Sequence, residues 1–511
     1  MCIHSIGVEH ILFILLHKEV TFMSGKNEVT QDNRIDNWSY LWMAFFMVIG
    51  FVLLAVLHHF LGDIVVRGVG GAVIVTLLVI MIYSKWKKTL NERNTVYIIL
   101  GISIVVRLCY ILTTSKTSFS NPEFEIFRSV HTDLALPETF QPLFYVVAGS
   151  LYNLVGMLRL TQPYALDAVR LANEYLGIVM SIAVYYILCE LEANDMAVYL
   201  CTAMTAFMPG LIILGGQITP IMTAVALMTL TILFLTRWNN YTDGYNFLLM
   251  SIAFGLAVMT DLVSFVLLPA ILLLVLINLV RTIKRRKALN ILTTVIQTIC
   301  GVAAWIVLSF VYPMRNYSMG KDTGLFNLLS DLGRRSGSVN LKTRFLSFSL
   351  PELFDVYVSS SDRNAWAYFI KSSLFGDSKG SGAILGDMVL RGFTALGLAV
   401  GASAVAMVVC DVFAKIDAKK KVNIWTFLGL NALMIGYYVL VSIARPSAAS
   451  MDFRVIPFIL VPGFGMLAVG INVMNKNKKL NFVAGILYYL MVAICTVFCV
   501  ACAAFGLVFL K

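Results

Sequence analysis

Charged residues are scarce in this sequence. Asp, Glu, Lys and Arg make up 13% of the 511 residues, whereas 59% are hydrophobic, and the mean hydropathy is +0.84. One soluble core cannot bury that much apolar surface. The shortage of charge therefore excludes an ordinary soluble protein and predicts a chain embedded in a membrane.

Cysteine is also sparse, and the nine cysteines show no paired pattern in the loops. All but Cys2 lie in or next to apolar segments, and the spacing of Cys495, Cys499 and Cys502 matches one helix face. This pattern excludes a disulfide framework and a zinc site and favours helix packing. No metal ligand is predicted and no cofactor is certain, with a divalent metal left open.

The basic excess, a formal net charge of +11, is confined to short clusters between apolar runs. These clusters are "SKWKK" from residue 84, "RTIKRRK" from 281, "KIDAKKK" from 415 and "NKNKK" from 475. Lys and Arg in short loops mark the cytoplasmic side of a membrane protein. The pattern therefore excludes nucleic acid as a partner and predicts a multi-pass cell-membrane protein with a cytoplasmic N-terminus.

About thirteen apolar runs are long enough, or nearly so, to cross a hydrocarbon core of about 30 Å. The sequence therefore predicts an all-α polytopic fold. The predicted spans are 41–60, 64–83, 96–114, 168–189, 197–214, 219–236, 246–260, 263–281, 293–312, 388–412, 424–444, 455–473 and 481–509.

The basic clusters share one side of the membrane only if residues 141–158 do not cross it. We therefore expect these residues to form a juxtamembrane helix, with Pro142 near its first turn. It would lie in a first outer loop, 115–167. A second outer loop, 313–387, is long enough for further short surface helices but too short for a separate soluble domain of ordinary size.

The predicted division of the chain has four parts. Residues 1–40 form a cytoplasmic tail, of which 1–22 could be an over-extended start, since "MSGKNEVTQDNR" from Met23 looks like a protein start. Residues 41–95 hold two extra transmembrane helices, 96–475 the main transmembrane domain and 476–511 a C-terminal transmembrane helix.

Several short motifs occur in a characteristic order over roughly residues 96–475. They resemble those of the bacterial polytopic glycosyltransferases of the GT-C superfamily, which include protein O-mannosyltransferases and the lipid A aminoarabinose transferase. The motifs are "RLCYILTT" (107–114), "LPETFQPLFYVVAGSLYNLVG" (136–156), "GGQITPIM" (215–222), "YPMRNYSMG" (312–320), "YFIKSSLFGD" (368–377) and "SMDFRVIP" (450–457).

The resemblance implies a GT-C-like helix arrangement and a sugar donor carried on polyprenyl phosphate. It also implies inverting transfer of a hexose or pentose to a lipid, glycan or protein acceptor at the outer face. In the family an acid of the first outer loop activates the acceptor. Here Glu123 is the nearest carboxylate, with Glu125 and Asp133 in reserve. A carboxylate suits this step because it can accept the proton of the acceptor hydroxyl.

Basic and polar residues of the remaining motifs are the predicted substrate-binding groups. Arg454, at the outer start of a span, could hold the donor phosphate bidentately, and Arg315 and Lys371 are similar candidates. Gln141 occupies the position next to the family's initial His and could contact a sugar or the acceptor. The remaining two predicted residues are Tyr145 and Gln217.

Four departures from the family pattern favour a different function, one without catalysis. The His before the 141–158 helix is absent, no Asp lies at 121–123, the acid expected after Gln217 is missing, and Asp261 replaces a Lys. The alternative is therefore a catalytically degenerate protein that binds a lipid-linked sugar or scaffolds a partner enzyme.

A transporter of lipid-linked sugars is the third hypothesis, and it requires charges that face one another inside the bundle. Apart from Arg107, Arg391 and Asp411, which lie near the ends of predicted spans, the sequence indicates few of these. Arg170 and Glu174, four residues apart, are expected to pair with each other on one helix face.

Overall fold

The computed structural model describes residues 36, 38–114, 143–157, 162–241, 244–284, 296, 299–307, 342–347, 364–375, 387–413, 418–444, 448–477 and 482–508. Within these ranges the chain is helical and contains no strand. The predicted all-α class is confirmed.

Fourteen α-helices follow one another in these ranges. In chain order they are α1 (Ser39–Trp86), α2 (Glu92–Thr113), α3 (Leu143–Met157), α4 (Gln162–Glu190), α5 (Asp195–Phe207), α6 (Pro209–Gly216), α7 (Ile221–Tyr241), α8 (Gly244–Thr260), α9 (Leu268–Lys284), α10 (Ala365–Phe375), α11 (Asp387–Phe413), α12 (Ala418–Ala444), α13 (Leu460–Asn477) and α14 (Phe482–Val508).

Eight helices among the described residues are long and apolar enough to cross a membrane, and nine if α5 and α6 count as one bent span. This confirms a polytopic membrane protein. The total of thirteen spans stays a prediction, because the described ranges have gaps.

The 48 residues of α1 form two helices that fold back at Gly62, where φ is +77° and ψ is −177°. A side chain on Gly50 would meet Leu108 of α2, and one on Gly70 would meet Cys109. Since positions 50 and 70 reach the same level of α2, the chain must reverse between them. We call residues 39–86 the N-terminal hairpin. Its backbone at Gly62 is one that glycine alone adopts readily.

The core of the bundle surrounds α2 and α4. In each of these helices 78% of the apolar window is buried, whereas only 17% of the window of α1 is buried. A helix that exposes most of its apolar residues in a membrane protein faces lipid. The N-terminal hairpin is therefore peripheral, and α2 lies between it and the core.

The two ends of the bundle differ in their polar contacts. At one end, which we call the basic end, Arg237 salt-bridges Glu190 at 3.4 Å, and Arg281 donates to Asn239 Oδ1 at 3.0 Å. Lys85, in the last turn of α1, is close in sequence to the start of α2 at this same end. These polar contacts tie α7 to α4 and to α9 at this end of the bundle.

At the opposite end, the loop end, Arg170 near the start of α4 donates to the carbonyl of Ile111 near the end of α2, at 2.9 Å. The end of α2 and the start of α4 therefore lie at the same end of the bundle. The helix α3 has 15 residues and is shorter than the helices counted as long enough to cross a membrane, and its juxtamembrane position stays a prediction.

Candidate active site at the loop end

The short helix α6 connects two polar clusters of the bundle. It follows a 43° bend after α5, and its eight residues span about 12 Å. At its start, Gly210 packs against the backbone carbonyl of Ser373 in α10. At its end, Gly215 packs against the carboxylate of Glu174 in α4. The bend thus places α6 between α4 and α10.

The first group, which we call the ionic cluster, consists of Arg107, Asp167, Arg170, Asn173 and Glu174. Arg107 and Glu174 form a salt bridge in which both side chains are completely buried. Two charges inside a protein are tolerated only when they are paired and hydrogen-bonded. This pair ties α2 to α4 in the interior of the bundle.

Arg170 joins three helices through its guanidinium group. Its Nε donates to the carbonyl of Gly216 at 2.7 Å, its Nη1 lies 3.4 Å from Asp167 Oδ1, and the bond to Ile111 adds α2. The expected pairing of Arg170 with Glu174 is therefore wrong, because their salt bridges go to Asp167 and Arg107 instead. Burial favours this outcome because each charge gains its own counter-ion.

The structure also corrects the expectation that few charges face one another inside the bundle. The Arg107 and Glu174 side chains are fully buried, and Asp167 and Arg170 are each about 1% exposed. Local spacing could not reveal the first pair, since its members lie 67 residues apart.

The turn after α6 is held against the ionic cluster. Asn173 Nδ2 donates to the carbonyl of Gln217 at 2.9 Å, and the hydroxyl of Thr223 donates to Asn173 Oδ1 at 3.2 Å. Among the described residues, the buried Oε1 atoms of Glu174 and Gln217 and the hydroxyl of Thr219 have no hydrogen-bond partner. Buried polar atoms rarely remain unsatisfied, so this turn is suited to bind a polar ligand.

The helix α3 lies beside this turn. Tyr145 and Tyr152 are buried in a small apolar cluster that includes Ile218, the neighbour of Gln217. Val147 and Leu154 on the other face are exposed. The helix is therefore amphipathic, with its tyrosine face directed into the protein. The predicted residues Tyr145 and Gln217 belong to one region of the fold.

The second group, which we call the cationic cluster, consists of Arg344, Lys371 and Arg454 around residues 450–454. Lys371 of α10 is fully buried, and the hydroxyl of its neighbour Ser372 accepts a hydrogen bond from Phe453 N at 2.8 Å. Two of the predicted phosphate ligands, Lys371 and Arg454, are thus each next in sequence to one partner of this hydrogen bond.

Asp452 fixes the conformation of Arg454. Its carboxylate accepts from Arg454 N at 2.8 Å and lies 3.1 Å from Arg454 Nη2. Asp452 is 5% exposed and Arg454 29% exposed. The ion pair offsets part of the positive charge and holds the guanidinium at the partly exposed edge of the cluster.

Arg344 is a member of the cationic cluster that the sequence did not single out. It lies in a short π-helical turn, Lys342–Leu346, and its Nη2 donates to Ser450 Oγ at 3.1 Å. Burial lowers the pKa of the Arg344 guanidinium, and Tyr438 opposes this shift. An arginine remains charged despite such a shift. In the sequence, Arg344 stands out only as a basic residue beside Phe345 in the predicted second outer loop.

The structure locates only part of the predicted site. Glu123, Glu125, Asp133, Gln141 and Arg315 lie outside the described residues.

Asp261, where the family resemblance implies Lys, caps a short helical turn by accepting from Val263 N at 3.0 Å. Across the ranges that the structure describes, no group of three or more His, Cys, Asp or Glu side chains could hold a metal ion.

Residues 161–317 match the family model described as dolichyl-phosphate-mannose-protein mannosyltransferase. The resemblance to GT-C membrane glycosyltransferases is confirmed. The matched segment runs from α4 beyond α9 and includes most of the ionic cluster and Gln217, but it ends before Lys371 and Arg454. No curated protein matches the chain. The family supports a membrane glycosyltransferase with a lipid-linked sugar donor.

Proposed function

We propose that this protein transfers a sugar from polyprenyl phosphate to a glycan, lipid or protein acceptor at the outer face of a bacterial cell membrane. The observation that carries this proposal is the position of α6. This helix joins the ionic cluster, most of which lies in the family-matched segment, to three basic side chains outside it.

The cationic cluster is the proposed binding site for the donor phosphate. Arg344 binds Ser450, Arg454 follows four residues later, and Lys371 adjoins the serine that binds Phe453. Three cations around five residues, with Asp452 as the near counter-charge, suit a phosphate diester that becomes a more highly charged monoester on leaving. Arginine also provides paired N–H donors for phosphate oxygens.

Glu123 is the proposed general base, with Glu125 and Asp133 in reserve. Its carboxylate takes the proton of the acceptor hydroxyl while the oxygen attacks the anomeric carbon. The bond from that carbon to the phosphate oxygen breaks, polyprenyl phosphate leaves, and the configuration inverts. The loop that contains Glu123 starts at Thr114, whose hydroxyl accepts a hydrogen bond from Arg170. This attachment places the start of the loop beside the ionic cluster.

The sugar and the acceptor are proposed to bind between the cationic cluster and α3. Gln141, Tyr145 and Gln217 would contact them there, with Arg315 as a further phosphate ligand. The unsatisfied atoms of Gln217 and Thr219 support this position. In the proposed division of the chain, residues 96–475 form the catalytic unit, and residues 1–95 and 476–511 are additions to it.

The second candidate is a degenerate member that binds the lipid-linked sugar without transferring it. The specific support is the absence of the family's His before α3 and of an Asp at 121–123. Transport is the third candidate, and the buried Arg107–Glu174 pair supports it. However, the pair is neutral overall and ties two core helices together, which suits a structural part better than a moving one.

The test measures release of polyprenyl phosphate from a panel of polyprenyl-phosphate sugars by the purified chain and by its Glu123→Gln and Arg454→Ala variants. We expect turnover by the wild type and a loss of at least about a hundredfold in Glu123→Gln, because a positioned general base contributes that much. Lys476→Ala, an exposed site at the basic end, is the control. Donor binding that Arg454→Ala weakens, without turnover, would identify the degenerate binder.

A further inference from the structure

A long apolar groove lies between the N-terminal hairpin and α2. Its volume is about 910 Å³, and both halves of the hairpin contribute to its walls. The lining is almost wholly hydrophobic and includes Met43, Phe46, Leu54, Val69, Gly101 and Leu108. An apolar groove of this size in a membrane protein is suited to a lipid tail rather than to water.

The groove has the length that a lipid tail needs. It extends along α2 from Arg93 to Leu108, a distance of about 22 Å at 1.5 Å per residue. The hydrocarbon core of a bilayer is about 30 Å thick. A tail that enters at the Arg93 end could therefore extend past the middle of the membrane while it remains between the hairpin and α2.

A basic residue lines one end of the groove. Arg93 lines it and is 39% exposed, with one ion pair to Asp36 at 2.7 Å. In the chain, Lys85, Lys87 and Lys88 lie just before α2, which begins with Glu92, and Asp36 is the ion-pair partner of Arg93. Basic side chains near the membrane surface attract anionic headgroups. The exposed parts of these cations suit a phosphate.

We propose that this groove binds an anionic phospholipid, with its phosphate at Arg93 and the lysines before α2 and its tail between the hairpin and α2. The charge distribution distinguishes this lipid from the polyprenyl-phosphate donor, because Arg93 lines the groove at the basic end and the cationic cluster lies at the loop end. The bound lipid would then form part of the interface that holds the hairpin on the bundle.

Gly101 allows the groove to be filled selectively. A Cβ atom at Gly101 would have only Leu77 Cδ1 nearby, at 3.6 Å, so a larger side chain has space. A Cβ at Gly68 of the hairpin would meet nothing within 4 Å, and Gly68 does not line the groove. Gly101→Leu and Gly68→Leu are therefore a matched pair, and both replace a helical glycine by a better helix former.

The experiment measures phosphatidylglycerol and phosphatidylcholine bound to the full chain, purified in mild detergent, by native mass spectrometry at graded lipid concentrations. We expect phosphatidylglycerol to bind the wild type and Gly68→Leu equally, and Gly101→Leu to bind it at least about tenfold more weakly. Arg93→Gln should reduce the preference for phosphatidylglycerol over phosphatidylcholine while tail binding persists.

Three outcomes would overturn the proposal. Equal binding of both lipids by the wild type would show that the headgroup is not recognised. Unchanged binding in Gly101→Leu would place the lipid elsewhere. Displacement of phosphatidylglycerol by an equal concentration of polyprenyl phosphate in the wild type, but not in Gly101→Leu, would assign the groove to the sugar carrier instead. None of these readouts depends on glycosyl transfer, so they are independent of the proposed function.

Discussion

Arg107 and Glu174 show how much of this molecule depends on individual buried charges. Neither side chain has any exposed surface, and Arg107 Nε also donates to Ser103 Oγ at 3.2 Å. The loss of one partner leaves the other as an isolated ion in a low-dielectric interior. Arg344 is a different case, because it lies at the edge of the bundle and its side chain is only partly buried, so its charge loses less hydration.

The first prediction concerns the Arg107–Glu174 pair. Arg107→Met should destabilise the protein by about 3–5 kcal/mol because the Glu174 carboxylate is left buried without a counter-ion. The double variant Arg107→Met, Glu174→Leu should recover most of this loss. Thermal unfolding in detergent would measure both, with exposed Lys476→Met as the control. A double variant less stable than both single variants would contradict this account.

The second prediction compares the effect of substituting Arg344 with the effect of substituting Lys342, which lies on the same turn. Arg344→Gln should raise the KM for a polyprenyl-phosphate sugar by about tenfold or more, since a charge-assisted hydrogen bond contributes about 1.5–3 kcal/mol. Lys342 is exposed, so Lys342→Gln should leave the KM nearly unchanged. Steady-state donor titrations would measure the difference. Equal effects of the two substitutions would show that only the general positive charge of the turn matters.

The short helix α6 shows how one element positions many residues. Its close packing depends on glycines, because a Cβ on Gly210 would lie 2.6 Å from the carbonyl oxygen of Ser373, and one on Gly216 would strike the ring of Tyr110. These contacts let α6 touch α10 at one end and α2 at the other. The spacing between the two polar clusters therefore depends on small residues in this helix.

The third prediction tests this packing. Gly210→Ala should destabilise the protein by about 1–3 kcal/mol through overpacking against a backbone that cannot easily move. Gly429 in α12 has open space around its Cβ position. Gly429→Ala should therefore stabilise the helix by up to about 1 kcal/mol. The two unfolding temperatures should shift in opposite directions, and a parallel shift would refute the packing argument.

The molecule as a whole is divided between a basic end and a loop end. Glu192 lies at the basic end, where its carbonyl accepts from Asn472 at 3.1 Å. The helix α7 ends at the basic end, where Asn239 accepts from Arg281, and α8 returns from there. Asp261 directly follows α8 and therefore lies at the loop end. The proposed phosphate site thus lies at the end of the bundle opposite to the Arg93 end of the groove.

The fourth prediction tests this orientation. In a variant with its native cysteines replaced, a cysteine at position 261 should react with a membrane-impermeant maleimide in intact cells. A cysteine at position 192 should react only after the cells are permeabilised, because the loops with Lys and Arg are predicted to be cytoplasmic. Labelling of position 192 alone in intact cells would invert the topology and exclude an outer-face site.

Local pattern predicted the elements better than the site. Apolar runs indicated α2, α7 and α13 closely, and the proline before residue 143 indicated the start of α3. Lys371 and Arg454 were predicted as site residues from their motifs, and that role stays a prediction. Arg344 was missed because it contacts Ser450, 106 positions away. A contact of that separation leaves no periodic signal in the sequence.

The sequence by itself determined that this chain enters a membrane, which loops between its apolar runs are basic, and which superfamily it resembles. These properties follow from the apolar fraction, the positions of Lys and Arg and the order of local motifs. Only the tertiary structure decided that Glu174 pairs with Arg107 rather than Arg170, that α6 joins two polar clusters, and that the hairpin leaves a groove beside α2. These features arise when helices distant in sequence pack together and each buried charge must find a partner.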